Sequence, residues 1–162
     1  MRWHNRLWNT AGMLLMLALP AQAVFAASFA ASFANGARAY DSGDYATAFS
    51  EWHALAKAGD PAAQIAIASL YRGGIGRPVD LVKSARWYRR AAHQGDAIAQ
   101  MNLGEMYEKG WGVKPNKSDA YYWYSRAAQQ ERDWATEQRD RLAQKMTPRA
   151  LAAAQERFKK LP

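Results

Sequence analysis

The sequence predicts an all-α fold, an α-solenoid of stacked antiparallel helix pairs that ends in a C-terminal capping helix. Three observations lead to this prediction. Residues 59–94 and 95–130 align without a gap, at a spacing of 36 positions. Both halves of each unit place apolar residues at the helical period, and no stretch has the composition of a β-strand. A repeat of this length is typical of stacked arrays, in which no unit buries its apolar face alone.

The second unit shows the two helices of a repeat most clearly. Its first half places Ala99, Leu103 and Met106 on one helical face. Gly110 is expected to end this helix, because glycine adopts the left-handed backbone that a helix end needs. Asn116 then offers a short oxygen acceptor as the N-cap of the second helix. The first unit has the equivalent signals, so each unit is predicted to be a helix pair.

Aromatic residues recur in the second helix of each unit, as Trp87-Tyr88 and Trp123-Tyr124. The chain is 49% hydrophobic, with seven Trp and eight Tyr, and much of the remaining apolar content is alanine. We interpret the aromatic pairs as core residues between close helices, in preference to a cage for a ligand. Residues 73–76 and 110–112 are glycine-rich, but helices flank both, whereas a nucleotide-binding loop follows a strand. These glycines are therefore predicted to form turns.

The repeated residues resemble the Sel-one-like repeat family, a branch of the tetratricopeptide superfamily. The residues of the second unit that match the family pattern are Leu103-Gly104, Tyr107, Gly110, Gly112-Val113, Ala120, Trp123-Tyr124 and Ala127-Ala128. The first unit departs from the pattern at residues 67–68 and at Ser84, which changes packing detail and leaves the expected fold the same. The resemblance covers residues 59–130 and identifies the chain as a secreted bacterial member.

Residues 27–58 are predicted to form a degenerate N-terminal helix pair. Tyr40 and Gly43 resemble Tyr71 and Gly74 but precede them by 31 positions, so the loop between the helices is five residues shorter here. An atypical terminal unit is expected at the end of a solenoid.

The two ends of the array are predicted to be capped. Phe29 and Phe33 lie one helical turn apart, and we expect both rings to cover the open N-terminal end. Residues 131–162 are predicted to form C-terminal capping helices, the last beginning at Thr147-Pro148. Glu131-Arg132 replaces the Gly-Asp pair of the preceding junction, so the helix before it is expected to continue without a sharp break. The basic last helix leaves a membrane-surface helix as an alternative.

The N-terminus, residues 1–26, has the pattern of a secretory signal peptide. Arg2 and Arg6 precede a short apolar segment that Pro20 ends, and residues 21–26 offer two small-residue cleavage sites. We expect cleavage and a periplasmic or secreted protein. An uncleaved inner-membrane anchor is the alternative, because the charge-free stretch after Arg6 is long.

Charge and cysteine content limit the classes of partner and the sources of stability that the protein can have. The chain carries a net charge of +8 and no cysteine, so no disulfide stabilises it and helix stacking must do so. A basic exported protein suits an anionic envelope component, although solubility alone also explains the charge. Predicted export disfavours a nucleic-acid partner, and no basic-aromatic groove motif is apparent.

The sequence shows no catalytic motif and predicts no catalytic residue, cofactor or metal. His53 and His93 fall at positions expected to face solvent, and neither has a partner at metal-ligand spacing. Neither a G-x-S-x-G elbow nor an S-x-x-K motif is present. Some cysteine-rich relatives in the resembled family are linked to β-lactam binding or hydrolysis, and this chain lacks their cysteines.

The tetratricopeptide resemblance implies that the first helix of each unit lines a concave binding groove. The residues expected there are Arg38, Asp41, Ile65, Ser69, Arg72, Met101, Glu105 and Glu108. Ile65 and Met101 occupy equivalent positions, and an apolar pair rimmed by Arg and Glu suits a peptide or protein partner. The alternative is that this apolar pair completes the core between units.

The resulting hypothesis is an exported repeat scaffold that acts as a non-catalytic periplasmic adaptor or regulator. The resemblance implies regulators of envelope signalling or exopolysaccharide export. Two alternatives stay open. One is a protein that tethers an envelope glycan or lipid, and the other, on family analogy alone, is a β-lactam or cell-wall hydrolase.

Overall fold

The structure is a computed structural model that describes residues 21–130 and 133–160. These residues form eight helices and no strand. The helices are α1 Ala21–Asp41, α2 Tyr45–Ala58, α3 Pro61–Gly73, α4 Leu81–His93, α5 Ala97–Lys109, α6 Lys117–Ala128, α7 Asp133–Ala143 and α8 Pro148–Lys160. The first six pack as three successive pairs, and each pair packs on the next through α2 and α3, α4 and α5, and α6 and α7. The predicted α-solenoid is confirmed.

Short polar side chains start the helices where the sequence predicts. The Asp80 carboxylate accepts a hydrogen bond from the Lys83 backbone N–H at 2.8 Å, and the Asn116 side chain accepts one from Ser118 at 2.9 Å. These contacts satisfy N–H groups that have no partner inside the helix. Gly110 ends α5 with φ +76°, in the left-handed region. The local chemistry of each unit therefore sets the helix ends.

Gly112, the second glycine of the turn, allows two units to stack closely. A Cβ at this position would collide with the Leu81 carbonyl oxygen, at the start of α4 in the preceding unit. Gly76 makes the same kind of close approach to Tyr45, the first residue of α2. The loop inside each unit thus rests on the second helix of the unit before it.

The aromatic pairs lie in the core, as predicted. Tyr88 and Tyr124 are almost fully buried, and Trp87 and Trp123 are nearly so. Their rings fill the space that the many alanines of the helix contacts leave.

Two buried glutamines, Gln64 and Gln100, join neighbouring units in the same way. Gln100 donates a hydrogen bond to the Ala92 carbonyl oxygen at 3.2 Å and accepts one from Gln130 at 3.1 Å. Gln64 repeats this arrangement 36 positions earlier, with Ala56 and Gln94 as its partners. Each glutamine adds a second donor to a carbonyl at the end of the preceding second helix, which also accepts a backbone hydrogen bond from Gly59 or Gly95. It therefore contributes to the register of the stack.

The first helix, α1, starts at Ala21 and so includes the last residues of the predicted signal peptide. Phe29 and Phe33 pack against the core as expected, and the Trp52 indole N–H donates a hydrogen bond to the Phe33 carbonyl at 3.1 Å. Most of the predicted signal peptide, residues 1–20, lies outside the described residues. Among the helices of the described ranges, none combines the length and the apolar character that a membrane crossing requires.

The C-terminal end corrects one expectation. Helix α6 ends at Ala128 and residues 129–130 form a turn, so the predicted continuation of this helix is wrong. Gln130 explains the break in part, because its side chain donates to the Gly95 carbonyl at 2.8 Å and holds the chain to the unit before. Both α7 and α8 then pack on α6. The apolar residues Leu151 and Ala154 of α8 cover α6, as a cap should.

Candidate functional site

The first helices of the units, α1, α3, α5 and α7, present the candidate binding surface, which we call the first-helix face. Side-chain contacts join α3 to α5 and α5 to α7 across this face. The predicted groove residues lie on α1, α3 and α5, with Arg38 and Asp41 on α1, Ile65, Ser69 and Arg72 on α3, and Met101, Glu105 and Glu108 on α5.

Arg72 connects two units on the first-helix face. Its guanidinium donates a hydrogen bond to the Asn102 side chain at 2.8 Å and lies 3.5 Å from the Glu105 carboxylate. The Arg72 and Glu105 side chains are 36% and 28% exposed, so water weakens this ion pair. A partner that offers a carboxylate or an amide can therefore replace these contacts at small cost. Arg72 and Glu105 form the polar part of the candidate site.

Glu108 has a different role from the one its sequence position suggests. Its side chain is only 11% exposed and accepts hydrogen bonds from Arg141 of α7 at 2.9 and 3.1 Å. The Tyr124 hydroxyl donates to the same carboxylate at 3.0 Å. Burial of the ring, and then the Glu108 carboxylate, raise the pKa of Tyr124 above its ordinary value. These hydrogen bonds join α5, α6 and α7, so Glu108 stabilises the fold and has little capacity left to bind a partner.

Ser69 is also engaged within the protein. A hydrogen bond of 2.9 Å joins its hydroxyl to that of Tyr88, and burial raises the pKa of this tyrosine. Arg38 and Asp41 lie exposed at the end of α1, where Arg38 donates to Asn35 of its own helix at 2.5 Å. The polar residues predicted for the groove thus divide into groups that stay at least partly exposed and groups, Ser69 and Glu108, whose side chains are bound by other residues of the protein.

The apolar pair of the predicted groove is half-buried. Ile65 packs against the core, which favours the core alternative for this residue. Met101 is half-buried on α5, and Ile98, three residues before it, is 43% exposed. Residues at this spacing neighbour each other on a helix surface. Sequence reasoning missed Ile98, because its counterpart Ala62 in the first unit is small and gives no repeated signal.

The histidines show one correction. His93 is exposed as predicted, and its ring contacts Trp123. His53 is half-buried, since its ring stacks on Phe49 at 4.9 Å and meets Trp87 edge-on at 5.8 Å. Burial is the main cause that holds the pKa of His53 below its ordinary value. Within residues 21–130 and 133–160, no three His, Cys, Asp or Glu side chains group as metal ligands would.

These features define a class of protein, an α-solenoid scaffold of stacked helix pairs that presents an extended helix face. The family is specific as well. The model of the Sel1 repeat matches residues 61–96 and 97–131, close to the two units predicted from the sequence. These two Sel1 repeats support membership of the chain in the Sel1-like repeat family. Sel1 repeats generally mediate protein–protein interaction, and the fold is typically a non-catalytic scaffold.

Solved structures agree with this assignment. The crystal structure of c5321, a protective antigen of uropathogenic Escherichia coli strains with an SLR fold, is 28% identical and superposes with a TM-score of 0.76 over 82% of this chain. A Sel1 repeat protein from Oxalobacter formigenes is 35% identical, with a TM-score of 0.65 over 68% of this chain. The chain spans only 29% and 46% of these two proteins. The comparison with curated proteins found no match.

Proposed function

We propose that this protein is an exported, non-catalytic adaptor that binds a segment of another protein on its first-helix face. The observation that carries the proposal is the apolar pair Ile98 and Met101 beside the exposed ion pair of Arg72 and Glu105. Apolar anchors next to exchangeable polar groups are what a protein interface requires. The general role of Sel1 repeats in protein–protein interaction supports the same function.

The proposed location of the protein is the periplasm, and its proposed role there is to regulate envelope processes. The supporting observation is the signal-peptide pattern of residues 1–26, with its basic start and small-residue cleavage sites. An uncleaved N-terminal anchor would place the same scaffold on the periplasmic side of the inner membrane.

One second candidate function has an observation in its favour. The basic charge, +8 for the whole sequence and +6 once Arg2 and Arg6 are removed with the signal peptide, favours tethering of an anionic glycan or lipid of the envelope. A salt-sensitive association of the protein with membranes or wall sacculi would support tethering, whereas a pool that stays soluble at low salt would count against it.

The test of the adaptor proposal is a crosslink and pull-down from intact cells with a C-terminally tagged protein. Met101→Glu places a charge in the apolar part of the site, so we expect it to reduce recovery of the enriched envelope protein about tenfold, the loss of one central interface contact. Ala153→Glu, at an exposed position of α8, is the matched control and should leave recovery unchanged. Circular dichroism checks that both variants fold. Unchanged recovery with Met101→Glu would exclude the first-helix face as the binding surface.

A further inference from the structure

A cavity lies where residues of α2, α3 and α4 meet. Its volume is about 240 Å³. We call it the α4 groove, and the residues that line it are His53, Tyr71, Lys83, Arg86, Trp87 and Arg90. None of the residues predicted for the first-helix face lines it, so the α4 groove is a separate surface.

The α4 groove carries positive charge beside aromatic rings. Arg86 and Arg90 are exposed, and neither forms an ion pair with a carboxylate of the described residues. The Arg90 guanidinium lies 4.4 Å from the centre of the Trp87 ring. Lys83 pairs with Asp80 at 2.9 Å, an exposed contact between residues three apart on the chain. The groove therefore has two unneutralised guanidinium groups on one side of α4.

Part of the equivalent surface in the next unit, around Asp119 and Tyr122, is occupied by the chain itself. Asp119 and Tyr122 of α6 stand 36 positions after Lys83 and Arg86. The last turn of α8 docks there, where Arg157 forms an ion pair with Asp119 and lies 5.3 Å from the centre of the Tyr122 ring. Phe158 meets the same ring edge-on at 6.2 Å. The surface on α6 thus binds a helix, α8, through one charged and one aromatic side chain.

At the position where α8 docks on α6, α4 carries the opposite charge. Lys83 replaces the carboxylate of Asp119, so a helix that docks on α4 in the same way must carry acid where α8 carries Arg157. The end of α8 also holds Lys159 and Lys160, so α8 of a second copy is repelled by the α4 groove. We propose that the α4 groove binds an acidic helical segment of a partner protein, with a carboxylate on Arg86 and Lys83 and an apolar side chain against Trp87.

The probe that tests the proposal follows from the internal contact. It is a synthetic peptide of residues 148–160 with Arg157, Lys159 and Lys160 changed to Glu, and the unaltered peptide is its control. Titration calorimetry with the full-length protein should show binding of the acidic peptide and binding at least tenfold weaker of the basic one. Arg86→Glu combined with Arg90→Glu should reverse this preference.

Two further variants separate the explanations. Lys109→Glu with Lys145→Glu changes the net charge equally at exposed positions away from the groove, so it should leave binding of the acidic peptide nearly unchanged. Met101→Glu should also leave it unchanged, so failure of the first-helix face and failure of the α4 groove are distinguishable. An independent readout is the pKa of His53 by NMR, because Lys57 and Arg77 add to burial in lowering it, and a carboxylate bound nearby should raise it.

Several results would overturn the proposal. They are no binding of the acidic peptide up to about 1 mM, equal binding of both peptides, or equal loss in the Lys109 and Lys145 variant. Sedimentation of the protein with phosphatidylglycerol vesicles that depends on Arg86, without binding of the acidic peptide, would instead assign the groove to a phospholipid surface.

Discussion

Replacement of Gly104 by a larger residue should destabilise the protein through one identified contact. Gly104 lies in α5, and a Cβ built there would lie 2.7 Å from Cδ1 and 2.8 Å from Cε1 of Tyr124. Carbon atoms pack best at about 3.5–4.0 Å, so the ring would have to move by about 1 Å. The ring is fully buried, and its hydroxyl is held by Glu108. Relief of the clash therefore weakens a buried hydrogen bond.

The magnitude follows from two opposing effects. Overpacking of a core typically costs about 1–3 kcal/mol, while removal of a glycine from a helix interior recovers about 1 kcal/mol. We expect Gly104→Ala to lower the free energy of unfolding by about 1 kcal/mol. Gly104→Leu adds three more carbons at the same place and should cost about 3 kcal/mol or more. For a chain of this size that corresponds to a fall in Tm of about 6–12 °C.

The assay is thermal and urea unfolding followed by circular dichroism. Two controls come from the chain. Ala54→Leu, at an exposed position of α2, should change Tm little. Ala68 is the counterpart of Gly104 in the first unit, where a fully buried methyl group is already accommodated, so Ala68→Gly should itself destabilise by about 1–2 kcal/mol. A Gly104→Leu protein that melts like the wild type would show that the α5–α6 contact is wrong.

Three further predictions concern the stacking of the units. Gly112→Ala should lower the free energy of unfolding in urea by about 2–3 kcal/mol or more, because it combines a left-handed φ of +67° with a collision against Leu81. The control Gly95→Ala, at φ +95° in open space, should lower it by only about 1–2 kcal/mol. Gln100→Ala should destabilise by about 1–3 kcal/mol, since it removes the buried hydrogen bonds that the Gln100 side chain makes to the Ala92 carbonyl and to Gln130. The same change at exposed Gln129 should have little effect. The raised pKa of Tyr124 predicts that stability contributed by this group is complete below its ordinary pKa of 10.0 and falls above it; alkaline unfolding should be shallower in Tyr124→Phe, and an identical pH profile of the two proteins would refute this linkage.

The sequence predicts the repeated parts of this fold well, because each repeated signal is local. Asp80 and Asn116 act as N-caps within their own turns, and Gly110 needs only its own backbone conformation to end α5. Burial of the aromatic pairs at 87–88 and 123–124 is equally predictable from the sequence, since an apolar face at the helical period must be buried somewhere. These features depend on neighbours that are close along the chain.

The rest of the candidate site depends on contacts between units, which the sequence does not display. Arg72 and Asn102 are 30 positions apart, and Glu108 and Arg141 are 33 apart. No fixed spacing marks such pairs, because the offset between first helices and the choice of rotamer decide which side chains meet. Glu105 and Glu108 share a helix face, yet one carboxylate stays partly exposed while α7 covers the other. The helix pair α7 and α8 has no repeat signal in the sequence, so the contact by which α7 withdraws Glu108 from the predicted groove could not be predicted.

Where two units agree, the shared residues fill contacts that every unit must make, as Gln64 and Gln100 do. Such positions cannot distinguish one partner from another, because both units need them for stacking. Partner choice must therefore come from positions that are equivalent in space and different in chemistry. Lys83 against Asp119 is such a position, and so is Ala62 against Ile98. The first difference changes which charge a docking helix must carry, and the second places an apolar side chain on only one unit, so both proposed surfaces arise where the repeat is broken.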